Sequence, residues 1–222
     1  MVFYYKKFPK NLEKAFNHHH YTSIPMRIKA VLFDLDGVLI DSLDAWWLAL
    51  NEALRRYGFE EIDKKEFIER YWGNDLYSNL DRANLPLEVG LTCSKLYMNY
   101  IDMIRLHPSA IEILESMEGI KKGLITNTPR DCTEMVLKRF DLEKYFDVVI
   151  TGDDVSRGKP DPEIIVKACD HLNVKPQEVV VIGDTDNDLK AARSAGCSVI
   201  GIGLEGDIYL DDLSELRSVL KL

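Results

Sequence analysis

The 222-residue chain lacks the long apolar runs and the excess of positive charge that mark proteins of membranes and nucleic acids. No stretch approaches the roughly 20 consecutive apolar residues that a membrane helix requires, and the first residues carry no apolar signal-peptide core. Lys and Arg number 28 against 37 Asp and Glu, a formal net charge of −9. This balance weighs against a nucleic-acid or membrane partner. We therefore expect a cytoplasmic protein whose partner is a small molecule.

Closely spaced cysteines are absent as well. The four that occur are scattered, which favours neither a zinc site nor a disulfide framework; they are Cys93, Cys132, Cys169 and Cys197. Residues 1–25 show no clear periodicity, and Met26 stands just before the first strand pattern. We interpret residues 1–25 as an N-terminal extension and a candidate for disorder.

Short β-branched runs alternate with helical patterns from residue 28 onward. Strands are predicted at 29–33, 122–125, 148–151, 179–182 and 199–202, and helices at 109–117, 130–140, 162–172 and 187–195. This alternation is typical of an α/β protein with a doubly wound parallel sheet. Right-handed crossovers then place the carboxyl ends of all strands at one edge, where ligands bind.

One interval breaks the alternation. The first two predicted strands are separated by residues 34–121, far more than the roughly two to six residues usual in α/β units. Helical patterns at 45–57, 63–71 and 92–104 fill most of it. We predict an α-helical cap over residues 43–106, inserted into a core made of residues 26–42 and 107–222. The connections near 40–42 and 106–109 are expected to be hinges.

The first strand pattern leads directly into two acids, Asp34 and Asp36, and Gly37 marks the turn that follows. Two carboxylates so close together require either a shared proton or a hard cation such as Mg²⁺. An isolated Asp-x-Asp pair is a weak signal. A second acidic group, which contains Asp184 and Asp188, follows the strand pattern at 179–182. Acids at two strand ends would meet at the same edge of the sheet.

Four motifs therefore occur in order. The pair Asp34 and Asp36 is followed by Leu124-Ile125-Thr126-Asn127, by Lys159 in Gly158-Lys159-Pro160, and by Asp184 to Asp188 in Gly183-Asp184-Thr185-Asp186-Asn187-Asp188. Taken one by one, these residues are ordinary turn formers, helix caps and a loop lysine. Together they resemble the haloacid dehalogenase-like (HAD) superfamily from about residue 29 to residue 203, with a Rossmann-like core and a helical cap.

The resemblance implies a role for each matching residue. Asp34 would attack phosphorus and become an aspartyl-phosphate, and Asp36 would act as the general acid and base. Thr126, the backbone at Asn127 and Lys159 would bind the phosphoryl group. Mg²⁺ would be held by the Asp34 carboxylate, the Asp36 carbonyl and the Asp184 carboxylate, with Asp188 orienting a metal-bound water or the lysine.

The implied activity is Mg²⁺-dependent hydrolysis of a small phosphorylated metabolite, in the manner of phosphoglycolate phosphatases. A phosphosugar mutase resembling β-phosphoglucomutase would use the same residues and stays open at this point. A dehalogenase is disfavoured, because those relatives lack the second Asp and need no metal. Six cap residues are candidates for a specificity pocket: Trp46, Trp47, Arg70, Tyr71, Trp72 and Arg82.

Overall fold

The computed structural model describes residues 28–220. Six parallel strands form one sheet in the order β5-β4-β1-β6-β7-β8. The strands are β1 (Ala30–Phe33), β4 (Lys121–Ile125), β5 (Val148–Ile150), β6 (Val179–Gly183), β7 (Ser198–Ile202) and β8 (Ile208–Leu210). The doubly wound α/β prediction is confirmed. The N-terminal extension predicted for residues 1–25 lies outside the described residues.

Helices cover both faces of this sheet. Alternate residues of β1 point to opposite faces, as a strand's period of two requires. Ala30 and Leu32 pack with the helices α7 (Glu163–Leu172) and α8 (Asp186–Ala195). Val31 and Phe33 pack on the other face with α5 (Ala110–Ser116), α6 (Arg130–Arg139) and α9 (Leu216–Leu220). All four β1 side chains are fully buried, so the strand that leads to Asp34 is fixed from both sides.

The helical cap is joined to the core by a two-stranded antiparallel ribbon. The ribbon pairs β2 (Ile40–Asp41) with β3 (Arg105–Leu106), where the sequence predicts hinges. Between them lie α1 (Leu43–Arg56), α2 (Lys64–Arg70), α3 (Leu76–Ala83) and α4 (Leu87–Tyr97), followed by a 3₁₀ helix (Met98–Met103). The cap boundaries at residues 43 and 106 stay a prediction. Within residues 28–220, no helix combines the length and the apolarity needed to cross a bilayer.

Several elements differ from the sequence prediction, among them the ribbon strands β2 and β3 and helix α9, which were not predicted. The helix expected at 92–104 is wrong as a single element, because α4 begins five residues earlier, after Pro86, and a 3₁₀ helix continues it. Proline suits the position before a first turn, since that turn needs no donor from it. Helix α3 was not predicted, although Asp75 caps it by accepting a bond from the Ser78 amide. Strand β8, which pairs with β7, was not predicted either.

Candidate active site

The motif residues meet at the carboxyl ends of three neighbouring strands. Asp34 follows β1, Thr126 follows β4 and Asp184 follows β6. The chain turns sharply at Gly37, whose φ is +84°, and a Cβ there would lie 2.1 Å from Asp184 Oδ2. Only glycine allows this approach, because a side chain would be both strained and in collision. The turn therefore brings the Asp34–Asp36 segment against Asp184, which follows the neighbouring strand β6.

A buried chain of charges runs through the centre of the site. Lys159 Nζ lies 2.8 Å from Asp34 Oδ1 and 2.7 Å from Asp188 Oδ1, and it also donates to the carbonyl of Ile125. The exposed fractions of the Asp34, Lys159 and Asp188 residues are 5%, 2% and 0%. Removing one partner from such a buried pair usually costs about 3–5 kcal/mol, because it leaves an uncompensated charge. The three groups therefore form one electrostatic unit.

Burial sets the titration of this unit. It raises the pKa of Asp34 well above the ordinary value, and the negative charge of Asp188 adds to the rise, although Lys159 opposes it. Burial works against the charge of Lys159 too, but the Asp188 and Asp34 carboxylates outweigh it and hold the lysine pKa above its ordinary value. The lysine stays charged, and Asp34 needs a further cation to become fully ionised.

Asp36 is surrounded by hydrogen-bond donors from both the core and the cap. Its Oδ2 accepts from Thr128 Oγ1 at 2.6 Å and lies 3.5 Å from Thr126 Oγ1. Its Oδ1 accepts from Ser42 Oγ and, at 3.3 Å, from the indole N–H of Trp46. Strand β1 has ended at Phe33, so these contacts, rather than the two-residue period of a strand, orient the side chain. The bonds hold the carboxylate beside Asp34 in the same cavity.

The side chain of Asn127 lines the cavity and also connects three loops by hydrogen bonds. The Asn127 Oδ1 accepts from the Lys159 amide at 2.8 Å, and Nδ2 donates to the Lys159 carbonyl at 2.9 Å. The same Nδ2 lies 3.1 Å from the carbonyl of Gly73 in the cap, which also accepts from Asn187 at 2.9 Å. The side chain thus fixes the lysine loop and docks the cap onto the core. Binding of phosphate by the Asn127 backbone stays a prediction.

The acids at this edge suit a hard cation. Carboxylate oxygens of Asp34, Asp184 and Asp188 lie within 4.8 Å of one another. Asp184 Oδ1 is buried without a hydrogen-bond partner, and burial together with the charge of Asp188 raises the Asp184 pKa to about 8. Asp188 is already bound by Lys159 and by the Thr185 amide and hydroxyl. Asp34 and Asp184 are therefore the better oxygen ligands, with Asp188 behind them, and this donor chemistry fits Mg²⁺.

A cavity of about 80 Å³ separates these acids from the cap. Of the six cap residues proposed for specificity, Trp46, Tyr71 and Trp72 line it. The other three do not, and each has another partner. The Trp47 indole donates to the Ile62 carbonyl, Arg70 pairs with Glu66, and Arg82 donates to Asn79 Oδ1.

A family model for haloacid dehalogenase-like hydrolases matches residues 31–202. The chain belongs to this family. One relative, a phosphorylated carbohydrates phosphatase of Thermotoga maritima, is 34% identical over 188 residues, covering 76% of this chain and 82% of the relative. Pyrophosphatase PpaX of Bacillus mycoides is 31% identical over 195 residues, or 84% and 89% of the two chains. The crystal structure of CbbY from Rhodobacter sphaeroides in complex with phosphate superposes with a TM-score of 0.79 at 26% identity, covering 88% of this chain and all of that one.

This HAD hydrolase is thus an enzyme whose named relatives are phosphatases. Three contacts in its site were not anticipated from the sequence. Thr128 follows the expected Thr126-Asn127 pair and binds Asp36, Ser42 lies in a segment interpreted as a hinge, and the Gly73 carbonyl docks the cap. Thr128 could have been found from the sequence, because its hydroxyl follows Thr126 by two residues just after strand β4. Nothing local marks Ser42 or Gly73, because their partners lie on other elements.

Proposed function

We propose that this hydrolase is a Mg²⁺-dependent phosphatase that hydrolyses a small phosphomonoester through an aspartyl-phosphate on Asp34. The observation that carries the proposal is the buried unit of Asp34, Lys159 and Asp188. It places a carboxylate against a permanently charged lysine at the cavity floor, with a second acid, Asp36, in the same cavity. Such an arrangement supplies a nucleophile, a positive charge and a proton carrier within one cavity.

The first step is attack by Asp34 on phosphorus. Both the Leu35 amide and Lys159 bind Asp34 Oδ1, so Oδ2 is the attacking oxygen. A bond forms between Oδ2 and phosphorus while the ester P–O bond breaks and its electron pair leaves with the alkoxide. Asp36 gives its proton to that oxygen, and the alcohol departs. Lys159 offsets the negative charge that Asp34 and the phosphoryl group share.

In the second step, Asp36 removes a proton from a water molecule as the water oxygen attacks phosphorus. The bond between phosphorus and Asp34 Oδ2 breaks, inorganic phosphate is released, and both carboxyl groups return to their starting states. Thr128 and Ser42 keep Asp36 aimed at the position that the leaving oxygen and the water occupy in turn. Thr126 and the Asn127 backbone bind phosphoryl oxygens.

Mg²⁺ would be held by Asp34, Asp184 and the Asp36 backbone carbonyl, and when bound it supplies positive charge next to the phosphoryl oxygens. The unpartnered Oδ1 of Asp184 supports this assignment, because a buried carboxylate oxygen without a donor is stable only beside a cation or a proton. Ca²⁺ prefers longer bonds and more ligands, so we expect it to compete with Mg²⁺ and inhibit.

The test is release of inorganic phosphate from p-nitrophenyl phosphate by the full chain. Turnover is expected with Mg²⁺, with loss after exhaustive chelation and inhibition by added Ca²⁺. Acid quenching during turnover of a ³²P-labelled substrate should leave label on a peptide that contains Asp34. Full activity without divalent metal would exclude the proposed site.

Water as the acceptor is tested separately, since a phosphosugar mutase would form the same intermediate. The protein is incubated with β-glucose 1-phosphate, a trace of the 1,6-bisphosphate and Mg²⁺. Phosphate release faster than glucose 6-phosphate formation supports a phosphatase. Isomerisation that outpaces release by orders of magnitude would replace the phosphatase with a mutase.

A further inference from the structure

The cap half of the active-site cavity is apolar. Its aromatic and aliphatic side chains come from α1, α2, α3 and the loops around α3, and they include Trp46, Phe67, Trp72, Leu76 and Leu85. The cavity volume is about 80 Å³, and the cavity is partly open to solvent. The group attached to the phosphate therefore places carbon atoms, rather than charges, against these side chains.

The cavity offers a second anionic group no positive partner. Among residues 28–220, Lys159 is the only Lys, Arg or His that lines the cavity. Its ammonium group is already bound to Asp34, Asp188 and the Ile125 carbonyl. The other charged side chains that line the cavity are Asp34 and Asp36, which repel an anion. A carboxylate or second phosphate on the substrate would lose its hydration without gaining a counter-charge.

The two cap amides at the cavity are also engaged. Asn79 Nδ2 donates to the Tyr71 carbonyl at 2.9 Å, and its Oδ1 accepts from Arg82 at 2.7 Å. Asn74 Nδ2 lies 3.3 Å from two cap carbonyls, and its Oδ1 accepts from Asn187 at 3.1 Å. These amides therefore shape the wall of the cavity and are poorly placed to replace the water lost by a charged substrate group.

We infer that the substrate is the monophosphate of a small uncharged alcohol whose carbon skeleton packs against the apolar cap wall, and that a second anionic group is rejected. This inference rests on the proposed phosphatase function and narrows it. Phosphoglycolate, with its carboxylate, and pyrophosphate, with its second phosphate, are expected to be poor substrates. Discrimination arises because an uncompensated charge against an apolar wall is penalised more strongly than a missing apolar contact.

The test compares substrates matched in size and differing in charge. Values of kcat/KM are measured with Mg²⁺ for 2-hydroxyethyl phosphate, 2-phosphoglycolate and pyrophosphate, with p-nitrophenyl phosphate as the reference for basic phosphatase activity. We expect 2-hydroxyethyl phosphate to exceed each of the two charged substrates by at least about tenfold. Equal or faster turnover of phosphoglycolate or pyrophosphate, with p-nitrophenyl phosphate cleaved, would overturn this inference but leave the proposed phosphatase function in place. Failure to cleave any of the four would overturn the proposed function and the inference with it.

A pair of variants tests the cause. Leu76 is half-buried and lines the cavity, so Leu76→Lys brings a cation to the apolar wall while Leu76→Met is the uncharged control of similar shape. The preference for 2-hydroxyethyl phosphate over phosphoglycolate should be at least about tenfold smaller in Leu76→Lys than in Leu76→Met. An unchanged ratio in a folded Leu76→Lys protein would show that charge at this wall does not set the preference. If Leu76→Lys does not fold, the comparison of the substrates with the wild-type protein decides the inference.

Discussion

The two halves of the active-site cavity differ in the chemistry of their side chains: the core half is charged and the cap half is apolar. On the core side, Asp34, Lys159 and Asp188 are buried charges held by direct contacts of 2.7–2.8 Å. On the cap side, Trp46 and its neighbours present rings and aliphatic carbons, and the amides among them are engaged. Fixed charges lower the activation barrier of a reaction in which charge develops in the transition state. An apolar wall instead discriminates between substrates. We therefore propose that the core carries out the reaction and that the cap selects the substrate, and the following variants test this division.

The largest effect is expected from Asp34→Asn, on the core side. An amide oxygen is a poor nucleophile, so kcat should fall by at least about 10⁴-fold. Lys159 keeps Asp188 as its counter-charge, and the new side chain has the same size and can still accept from the Leu35 amide, so the melting temperature should stay within a few degrees. Phosphate release and thermal unfolding are measured on the same sample. Near-normal release would remove Asp34 from the mechanism.

Asp36→Asn should cost on the order of 10²–10⁴-fold in kcat for an alkyl phosphate, because proton transfer to the leaving oxygen is lost. The loss should be smaller for formation of the aspartyl-phosphate from p-nitrophenyl phosphate, since nitrophenolate leaves without a proton. A burst of nitrophenolate followed by slow phosphate release is the expected signature. Equal losses in both steps for both substrates would contradict a proton-transfer role.

Asp184→Asn should separate stability from activity. The variant removes a carboxyl group whose ionisation burial opposes, so the chelated protein should gain about 1–3 kcal/mol in free energy of unfolding, or roughly 2–12 °C in Tm. Activity should fall at least about 100-fold at limiting Mg²⁺, and the rise in Tm caused by Mg²⁺ should shrink. If the chelated variant is less stable than the chelated wild type, burial of the Asp184 carboxyl group does not destabilise the metal-free protein.

The same residue predicts a pH dependence. Burial raises the Asp184 pKa from its ordinary value of 3.8 to about 8. The folded protein therefore binds more protons than the unfolded chain between these values, and its stability falls as pH rises from about 4 to 8. Unfolding of the chelated wild type should show this fall, and Asp184→Asn should weaken it. A stability that rises over this window would contradict the sign.

The smallest effect is expected from Trp46→Phe, on the cap side. Trp46 stacks on Tyr97 with ring centroids 3.9 Å apart and also donates to Asp36 at 3.3 Å. Phenylalanine keeps part of the ring contact but removes the N–H together with one of the two indole rings. The lost hydrogen bond is worth about 0.5–1.5 kcal/mol, which is a change of about two- to tenfold in kcat. The loss of ring surface from the cavity wall should appear in KM, and the pH profile of kcat should move because the hydrogen bonds to Asp36 change. A change in KM alone would place Trp46 with the apolar wall only.

Most of the charged half of the cavity was predictable because its acids belong to motifs that follow strand ends, whereas Lys159 lies in the loop between β5 and α7. Asp34, Thr126 and Asp184 each follow an apolar run, and parallel strands bring such ends together. The cap half was predictable only as helices. Trp46 and Trp47 are neighbours in α1, yet one lines the cavity and the other binds the Ile62 carbonyl. Their residue type is the same, and only the packing of α1 distinguishes them.

The sequence by itself determined five of the six strands of the sheet, the presence of inserted helices, and the order in which Asp34, Thr126, Lys159 and Asp184 occur. These depend on local patterns, namely hydrophobic period, turn residues and motif spacing. Only the tertiary structure decided that Asp184 Oδ1 lacks a donor, that Thr128 and Trp46 share Asp36, and that Arg82 points its guanidinium at Asn79 rather than into the cavity. Each is a contact between elements far apart in the chain, set by how the helices pack, and no local pattern encodes it.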